Sequence, residues 1–77
     1  MSYTIIGIKL SDRQNQAAAL QEILTRYGCC IKTRIGLHDA GDGRCAPGGV
    51  VLLEVIDRQD ELLGELSVKF ETQSMRF

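Results

Sequence analysis

The chain has 77 residues, of which 44% are hydrophobic and 25% charged, and its formal net charge is −1. This length predicts one globular domain, residues 1–77, and the balanced charge excludes the basic excess typical of nucleic-acid-binding domains. No apolar segment approaches the roughly 18 residues of a membrane span, and residues 1–10 do not resemble a signal peptide, so a cytoplasmic protein without membrane or nucleic-acid partners is expected.

The first predicted element is a strand over residues 3–10, because apolar side chains recur at every second position. Successive side chains of a strand point to opposite faces, so one face is expected beneath the helices and the other away from them. The face expected in the core carries Ile6, Ile8 and Leu10. The opposite face carries Tyr3, Ile5, Gly7 and Lys9.

A helix is predicted next, over residues 13–27. Ser11 and Gln14 have the spacing of a capping box at its beginning, and Gly28 suits a left-handed turn at its end. Apolar residues recur at helical spacing along one side, which is therefore expected to be buried. This stripe consists of Ala17, Leu20, Ile23, Leu24 and Tyr27.

A second strand over residues 31–37 shows the clearest alternation in the chain. One of its faces carries Ile31, Thr33, Ile35 and Leu37, and the other carries Lys32, Arg34, Gly36 and His38. Residues 38–49 follow, with four glycines and the only proline of the chain. Because glycine and proline interrupt regular structure, this segment predicts a long loop.

The remaining elements are a strand, a helix and a short strand. Residues 50–56 are almost continuously apolar, which predicts a strand buried on both faces. A second helix is predicted over residues 60–71, capped by Asp57, and a last strand over residues 74–77. The helix has an apolar stripe of Leu62, Leu63, Leu66 and Phe70.

The predicted order is therefore βαββαβ, which indicates an α+β fold. In 77 residues this order describes a ferredoxin-like sandwich, in which two helices cover one face of a four-stranded antiparallel sheet. Domains of this architecture more often bind, sense or assemble than catalyse. The order thus favours a binding or regulatory function.

The sheet face without helices is predicted to be an interface. Ile5, Val50, Leu52 and Ile56 would be exposed on it, and an apolar patch of several hundred Å² on a monomer is uncommon. A domain this small also gains stability from assembly. Homo-oligomerisation through this face, as a homodimer or tetramer, is the favoured interpretation, and a monomer with a mildly apolar sheet is the alternative.

Charged residues are expected on the same face. Lys32 and Arg34 are predicted to point outward with Lys9, and Glu54 on the next strand is expected opposite one of them. The simplest interpretation is a cross-strand ion pair contributing about 0.2–1 kcal/mol. An anion or carboxylate site at a subunit interface is the functional alternative.

His38 and Cys45 are the candidate metal ligands, because imidazole and thiolate suit zinc, nickel or copper. They flank the glycine-rich segment, with Asp39 and Asp42 between them. Two ligands are too few for a structural site, but two copies of the chain could supply four. The alternative is that His38 simply ends a strand and Cys45 packs at the sheet edge.

No catalytic constellation is evident, so an enzyme is not expected. The chain has one histidine and neither a nucleophile elbow nor a phosphate-binding loop. Cys29 and Cys30 are adjacent, so their side chains should point in opposite directions and form a poor chelate. One of the two is expected in the core and the other partly exposed.

Several segments together resemble the small ACT-like proteins known as iron-only hydrogenase system regulators. They are residues 12–13 (DR), 34–38 (RIGLH), 45–49 (CAPGG) and 65–69 (ELSVK). That family is similar in fold to the ligand-sensing domain of nickel-responsive ribbon-helix-helix repressors. The resemblance implies a regulatory domain that oligomerises through its sheet, with His38 and Cys45 in places comparable to nickel ligands. It does not imply DNA binding, because the chain has no ribbon-helix-helix or winged-helix segment.

The sequence therefore predicts a non-catalytic, ACT-like regulatory domain that forms homo-oligomers. A small-molecule effector or a transition metal is expected at a subunit interface near residues 38–49. The alternative is a structural or adaptor module that assembles with other proteins without a small ligand.

Overall fold

The computed structural model describes the backbone of residues 2–41 and 44–77, and their side chains except those of residues 13, 14, 38–41 and 44–47. The elements are β1 (Thr4–Leu10), α1 (Arg13–Arg26), a 3-10 turn (Gly28–Cys30), β2 (Ile31–Gly41), β3 (Arg44–Val55), α2 (Gln59–Lys69) and β4 (Glu71–Arg76). None of the helices in these residues is long and apolar enough to cross a membrane.

The four strands form one sheet in the order β2-β3-β1-β4, and all neighbouring strands are antiparallel. Buried side chains of both helices join those of one sheet face in a single cluster, so the other face is left open. The predicted α+β fold is confirmed, and this arrangement is compatible with a ferredoxin-like sandwich. Strand β4 is longer than the predicted 74–77, because α2 already ends at Lys69.

For β1 and the two helices, the core contains the residues that alternation and helical spacing predicted, with one exception. Ala17 is exposed, and Ala19 packs partly against the core in its place. Leu63 also packs against the core from its margin. The buried apolar side chains are Ile6, Ile8, Leu10, Leu20, Ile23, Leu24, Tyr27, Cys30, Val51, Leu53, Val55, Leu62, Leu66 and Phe70.

Helix α1 is capped one residue later than predicted. Asp12, not Ser11, is the N-cap, and its Oδ1 accepts a hydrogen bond of 3.4 Å from the backbone N–H of Asn15. Oε1 of Gln16 reaches back to accept the N–H of Asp12 at 2.9 Å. The predicted left-handed turn at Gly28 is also wrong, because this residue begins a 3-10 turn without a positive φ.

Helix α2 begins at an unusual backbone position. Arg58 is its N-cap, with φ 49° and ψ 39°, and is the only residue other than glycine with positive φ in the described chain. Asp57, the predicted cap, instead accepts the N–H of Arg58 through Oδ1 at 2.8 Å. A left-handed conformation costs an arginine energy that glycine would not lose, so the surrounding contacts must maintain it.

The predicted loop over residues 38–49 is wrong for the described residues, because β2 and β3 continue into it as a hairpin. His38 is paired with Gly49 and Ala40 with Cys45, with an irregularity between these two pairs. Ladder hydrogen bonds use only the backbone, so glycine-rich strands can still pair when a neighbouring strand is adjacent. Strand β1 ends at Leu10, opposite Gly49. The part of the β2–β3 hairpin beyond Gly49 therefore extends past the end of β1.

Candidate interface on the open sheet face

The open face is defined by the strand register, because residues paired across neighbouring strands share a face. Its central pair is Gly7 on β1 and Leu52 on β3. Around this pair the face carries Ile5, Lys9, Thr33, Ile35, Leu37, Val50, Glu54, Glu71, Gln73 and Met75. We use "open face" for these twelve residues, with Tyr3, Ile56 and Phe77 at one margin.

Exposed apolar side chains are concentrated on the open face and its margin. Of the six large hydrophobic residues that are exposed in the described chain, five lie there, and only Val68 lies elsewhere, on α2. The five are Ile35 at 49% exposure, Leu37 at 48%, Ile56 at 42%, Met75 at 59% and Phe77 at 60%. This distribution is typical of a surface that another molecule covers.

An aromatic pair forms the margin of the open face. The rings of Tyr3 and Phe77 stack with centroids 5.2 Å apart and planes inclined by 22°. Their backbones exchange two hydrogen bonds, from Tyr3 N to Phe77 O at 3.3 Å and from Phe77 N to Tyr3 O at 2.9 Å. The start of β1 and the end of β4 are thereby held together at one end of their ladder, beside the open face.

The predicted orientation of β2 is wrong. Arg34 is paired with the buried Leu53, so it lies on the helix side, where its Nη1 donates a hydrogen bond of 2.7 Å to Oε1 of Gln21 on α1. Lys32 lies at a register irregularity and has no partner in the ladder. Because β2 is an edge strand, a long side chain on its helix side reaches past α1 to water. The apolar positions Ile35 and Leu37 consequently lie on the open face.

The predicted ion pair of Glu54 is also wrong. Glu54 is opposite Thr33, whose Oγ1 donates a hydrogen bond of 2.9 Å to its Oε1. Within the described residues the salt bridges join Arg26 to Glu65, Arg58 to Glu61 and Arg76 to Asp60. In this part of the chain neither Glu54 nor Lys9 therefore has an ion-pair partner.

Two shallow depressions lie side by side on the open face, and Ile5 and Leu52 line both. The first, of about 180 Å³, extends over Gly7 to Gln73 and Met75. The second, of about 200 Å³, extends to Ile35 and to the hydrogen-bonded pair of Thr33 and Glu54. Gly7 leaves the first depression open because a Cβ there would lie 3.5 Å from Leu52 Cδ2.

The predicted metal ligands lie in the extended hairpin. Backbone pairing puts Cys45 opposite Ala40, two residues along β2 from His38. The side chains of His38 and Cys45, like those of Asp39 and Asp42, lie outside the described residues. Among the residues that are described, no three His, Cys, Asp or Glu side chains form a group that could hold a metal ion. The expected environments of the other cysteines are confirmed, since Cys29 is exposed and Cys30 buried.

A second polar cluster, not anticipated from the sequence, joins the two helices. The hydroxyl of Tyr27 donates a hydrogen bond of 2.6 Å to Oε2 of Glu65, and Arg26 forms an ion pair with the same carboxylate. The guanidinium carbon of Arg58 lies 4.6 Å from the centroid of the Tyr27 ring. The hydrogen bond raises the pKa of Tyr27 and lowers the pKa of Glu65.

The contacts of this cluster join the end of α1 to α2 and stabilise the packing of the two helices. The carboxylate of Glu65 is already bound by two donors, and the guanidinium of Arg58 lies over the Tyr27 ring. The helical stripe identified Tyr27 as buried, but nothing in the sequence pattern indicated its partner, 38 residues away. The contacts explain how Arg58 is held at its strained position.

Comparisons of the chain with protein-family models, with curated proteins and with solved structures gave no match.

Proposed function

We propose that this chain is a non-catalytic regulatory domain, ACT-like and ferredoxin-like in architecture, that forms homo-oligomers through its open face. The observation that carries the proposal is the placement of five of the six exposed large apolar residues on or beside that face. The strand order, with both helices packed on the opposite face, supports the architecture.

The size of the face indicates how strong the association should be. Four strands about 4.8 Å apart, each spanning five residues of the face at about 3.4 Å per residue, give a flat area on the order of 330 Å². Specific interfaces commonly bury about 800 Å² of accessible surface on each partner, so the open face is smaller than a typical interface. We therefore expect a concentration-dependent equilibrium between monomer and oligomer rather than a permanent assembly.

The regulatory part of the proposal is an effector, a small ligand or a transition metal, that binds where the extended hairpin adjoins the interface. His38 and Cys45 are the proposed metal ligands, and the β2–β3 register brings their backbone positions near one another. Each copy supplies one imidazole and one thiolate, so the four ligands of a closed tetrahedral site would come from the hairpins of two copies that meet at a second subunit contact, as in a tetramer.

Sedimentation velocity of matched lysine variants tests the proposed interface. Ile35→Lys puts a charge on the open face at a half-exposed position, so the monomer should tolerate it while the oligomer should not. Val68→Lys is the control, because Val68 is 83% exposed on α2, away from that face. We expect the wild type and Val68→Lys to self-associate and Ile35→Lys to remain monomeric, with circular dichroism confirming the fold of each.

A wild-type protein that stays monomeric up to its solubility limit would contradict the proposed function. An Ile35→Lys variant that associates as strongly as Val68→Lys would place the interface elsewhere. A protein that self-associates through this face but binds no metal or small ligand would instead support the structural or adaptor alternative.

A further inference from the structure

Lys9 and Glu54 are opposite charges on neighbouring central strands, arranged diagonally across the middle of the open face. Glu54 is paired with Ile5 on one side of the central Gly7–Leu52 pair, and Lys9 is paired with Val50 on the other. Their positions are thus related, within one chain, by a half-turn about the centre of the face. A second copy of the chain, related by two-fold symmetry, can therefore place each of its two charges opposite the unlike charge of the first copy.

Covering the open face would remove both charges from water. Glu54 is already half-buried and its one described side-chain hydrogen bond comes from Thr33, a neutral donor. A charge buried at an interface without a partner is strongly destabilising, whereas a paired and hydrogen-bonded charge is tolerated. An interface on this face is therefore stable only if Lys9 and Glu54 find opposite charges there.

Sheet spacing allows both charges to be paired at once. The two residues are one strand apart, about 4.8 Å, and four residues apart along the strands, about 13.6 Å, so their diagonal is inclined about 19° to the strands. A two-fold axis in the interface plane, perpendicular to this diagonal and passing over the Gly7–Leu52 pair, superposes Glu54 of one copy on Lys9 of the other. Symmetry then pairs the remaining Lys9 and Glu54 as well.

The resulting crossing of the two sheets is a common one. Strands related by this axis cross at twice the inclination of the diagonal, about 40°, near the roughly 30° typical of aligned sheet packing. An axis parallel to the strands would instead place Glu54 over Ile5 of the other copy, and an axis perpendicular to them would place it over Val50. Both leave a buried charge unpaired.

We propose that two copies of the chain pack face to face about the diagonal axis, with reciprocal ion pairs between Lys9 and Glu54. This inference rests on the proposed function, since it specifies the geometry of the interface. Glu71 is opposite Lys9 in the β1–β4 ladder, but it is exposed on the edge strand and forms no ion pair with Lys9 among the described residues. The partner that covers the open face is thus a second copy of this chain. Its Lys9 and Glu54 match the charges of the first copy, and its apolar side chains match the apolar surface.

The test uses Lys9→Glu and Glu54→Lys, alone and mixed, with sedimentation equilibrium as the readout. Each variant alone would oppose like charges, so we expect self-association at least about tenfold weaker than that of the wild type. An equimolar mixture restores both ion pairs in the heterodimer, so association should return to within a few-fold of the wild type. Glu22→Lys is the control, since it reverses an exposed acidic charge on α1, on the side of the sheet away from the open face.

The mixing experiment distinguishes the diagonal ion pairing from self-association through the open face in general. Circular dichroism on every sample verifies folding. Single variants that associate like the wild type, or a mixture no stronger than either variant alone, would overturn the diagonal pairing while leaving the proposed self-association intact. A wild type that does not associate at all would overturn both.

Discussion

Tyr27 and Glu65 connect the two helices through a hydrogen bond of 2.6 Å, donated by the hydroxyl at the end of α1 to the carboxylate on α2. Arg58, the strained N-cap residue of α2, lies over the same aromatic ring. The two helices are thus held to each other on the covered side of the sheet by polar contacts in addition to the apolar core.

Replacing Tyr27 by phenylalanine should raise the pKa of Glu65 toward its ordinary value. The hydrogen bond from Tyr27 is the largest cause of the lowered pKa, and the ion pair with Arg26 would remain as a smaller one. Carbon-detected NMR titration of the Glu65 carboxyl group measures this change directly. Tyr3→Phe is a matched control, because it removes the other tyrosine hydroxyl and retains the ring that stacks on Phe77. An unchanged pKa of Glu65 in Tyr27→Phe would contradict the assigned hydrogen bond.

The same contact predicts how stability depends on pH. The pKa of Glu65 is lower in the folded chain, so its contribution is present above the unfolded value of about 4.5 and is lost as the pH falls through the folded pKa. The pKa of Tyr27 is raised, so its contribution is present below about 10 and is lost as the pH rises through the folded pKa. Urea unfolding at acidic, neutral and alkaline pH should therefore show the largest difference between wild type and Tyr27→Phe at neutral pH. A difference independent of pH would disprove this linkage.

Gly48→Ala should destabilise the fold by about 1–3 kcal/mol. A Cβ at this position would lie 2.6 Å from the backbone oxygen of Leu10, so β1 and the extended hairpin would have to separate. Gly64→Ala is the control, because no atom lies within 4 Å of its added Cβ, and alanine in a helix should stabilise by about 1 kcal/mol. Chemical denaturation of both variants tests the prediction, and a Gly48→Ala protein as stable as the wild type would refute it.

The proposed metal ligands predict a specific loss of metal affinity. His38→Ala and Cys45→Ser should each weaken zinc or nickel binding at least about tenfold, since each removes one ligand type from the shared site. Isothermal titration of the reduced protein with either metal alone measures this effect. Cys29→Ser provides the control, because Cys29 is an exposed thiol outside the hairpin. If Cys29→Ser weakens binding as much as Cys45→Ser, the hairpin is not the site.

The sequence was a good guide wherever burial alone determines the pattern. In β1, the alternate residues Ile6, Ile8 and Leu10 are buried, and the apolar stripes of both helices pack in or against the core apart from Ala17. These positions are predictable because a side chain between the sheet and the helices must be apolar. The order of elements follows from the same periodicity. The presence of apolar residues on the open face was also predictable. Strand β3 is apolar on both of its faces, and two helices can cover only one face of the sheet.

The orientation of β2 could not be predicted from its alternation. Both of its faces lie at the edge of the sheet, so apolar residues are not forced beneath the helices, and Arg34 can occupy the helix side by bonding to Gln21. The predicted loop is wrong for the described residues of 38–49, because glycine lowers the preference for a strand but does not prevent a backbone ladder. The cap at Arg58 has no signal in the sequence, and the Tyr27 ring that its side chain contacts is 31 residues away along the chain.

The strand order also has a consequence for how the chain acquires its structure. Every ladder in the sheet contains β1 or β3, and β2 pairs only with β3. While the ribosome has released only β1, α1 and β2, the nascent chain has two strands but no neighbouring pair, because the place between them is still empty. Sheet formation during synthesis must therefore wait for β3, which makes this strand the first opportunity for the amino-terminal half to fold.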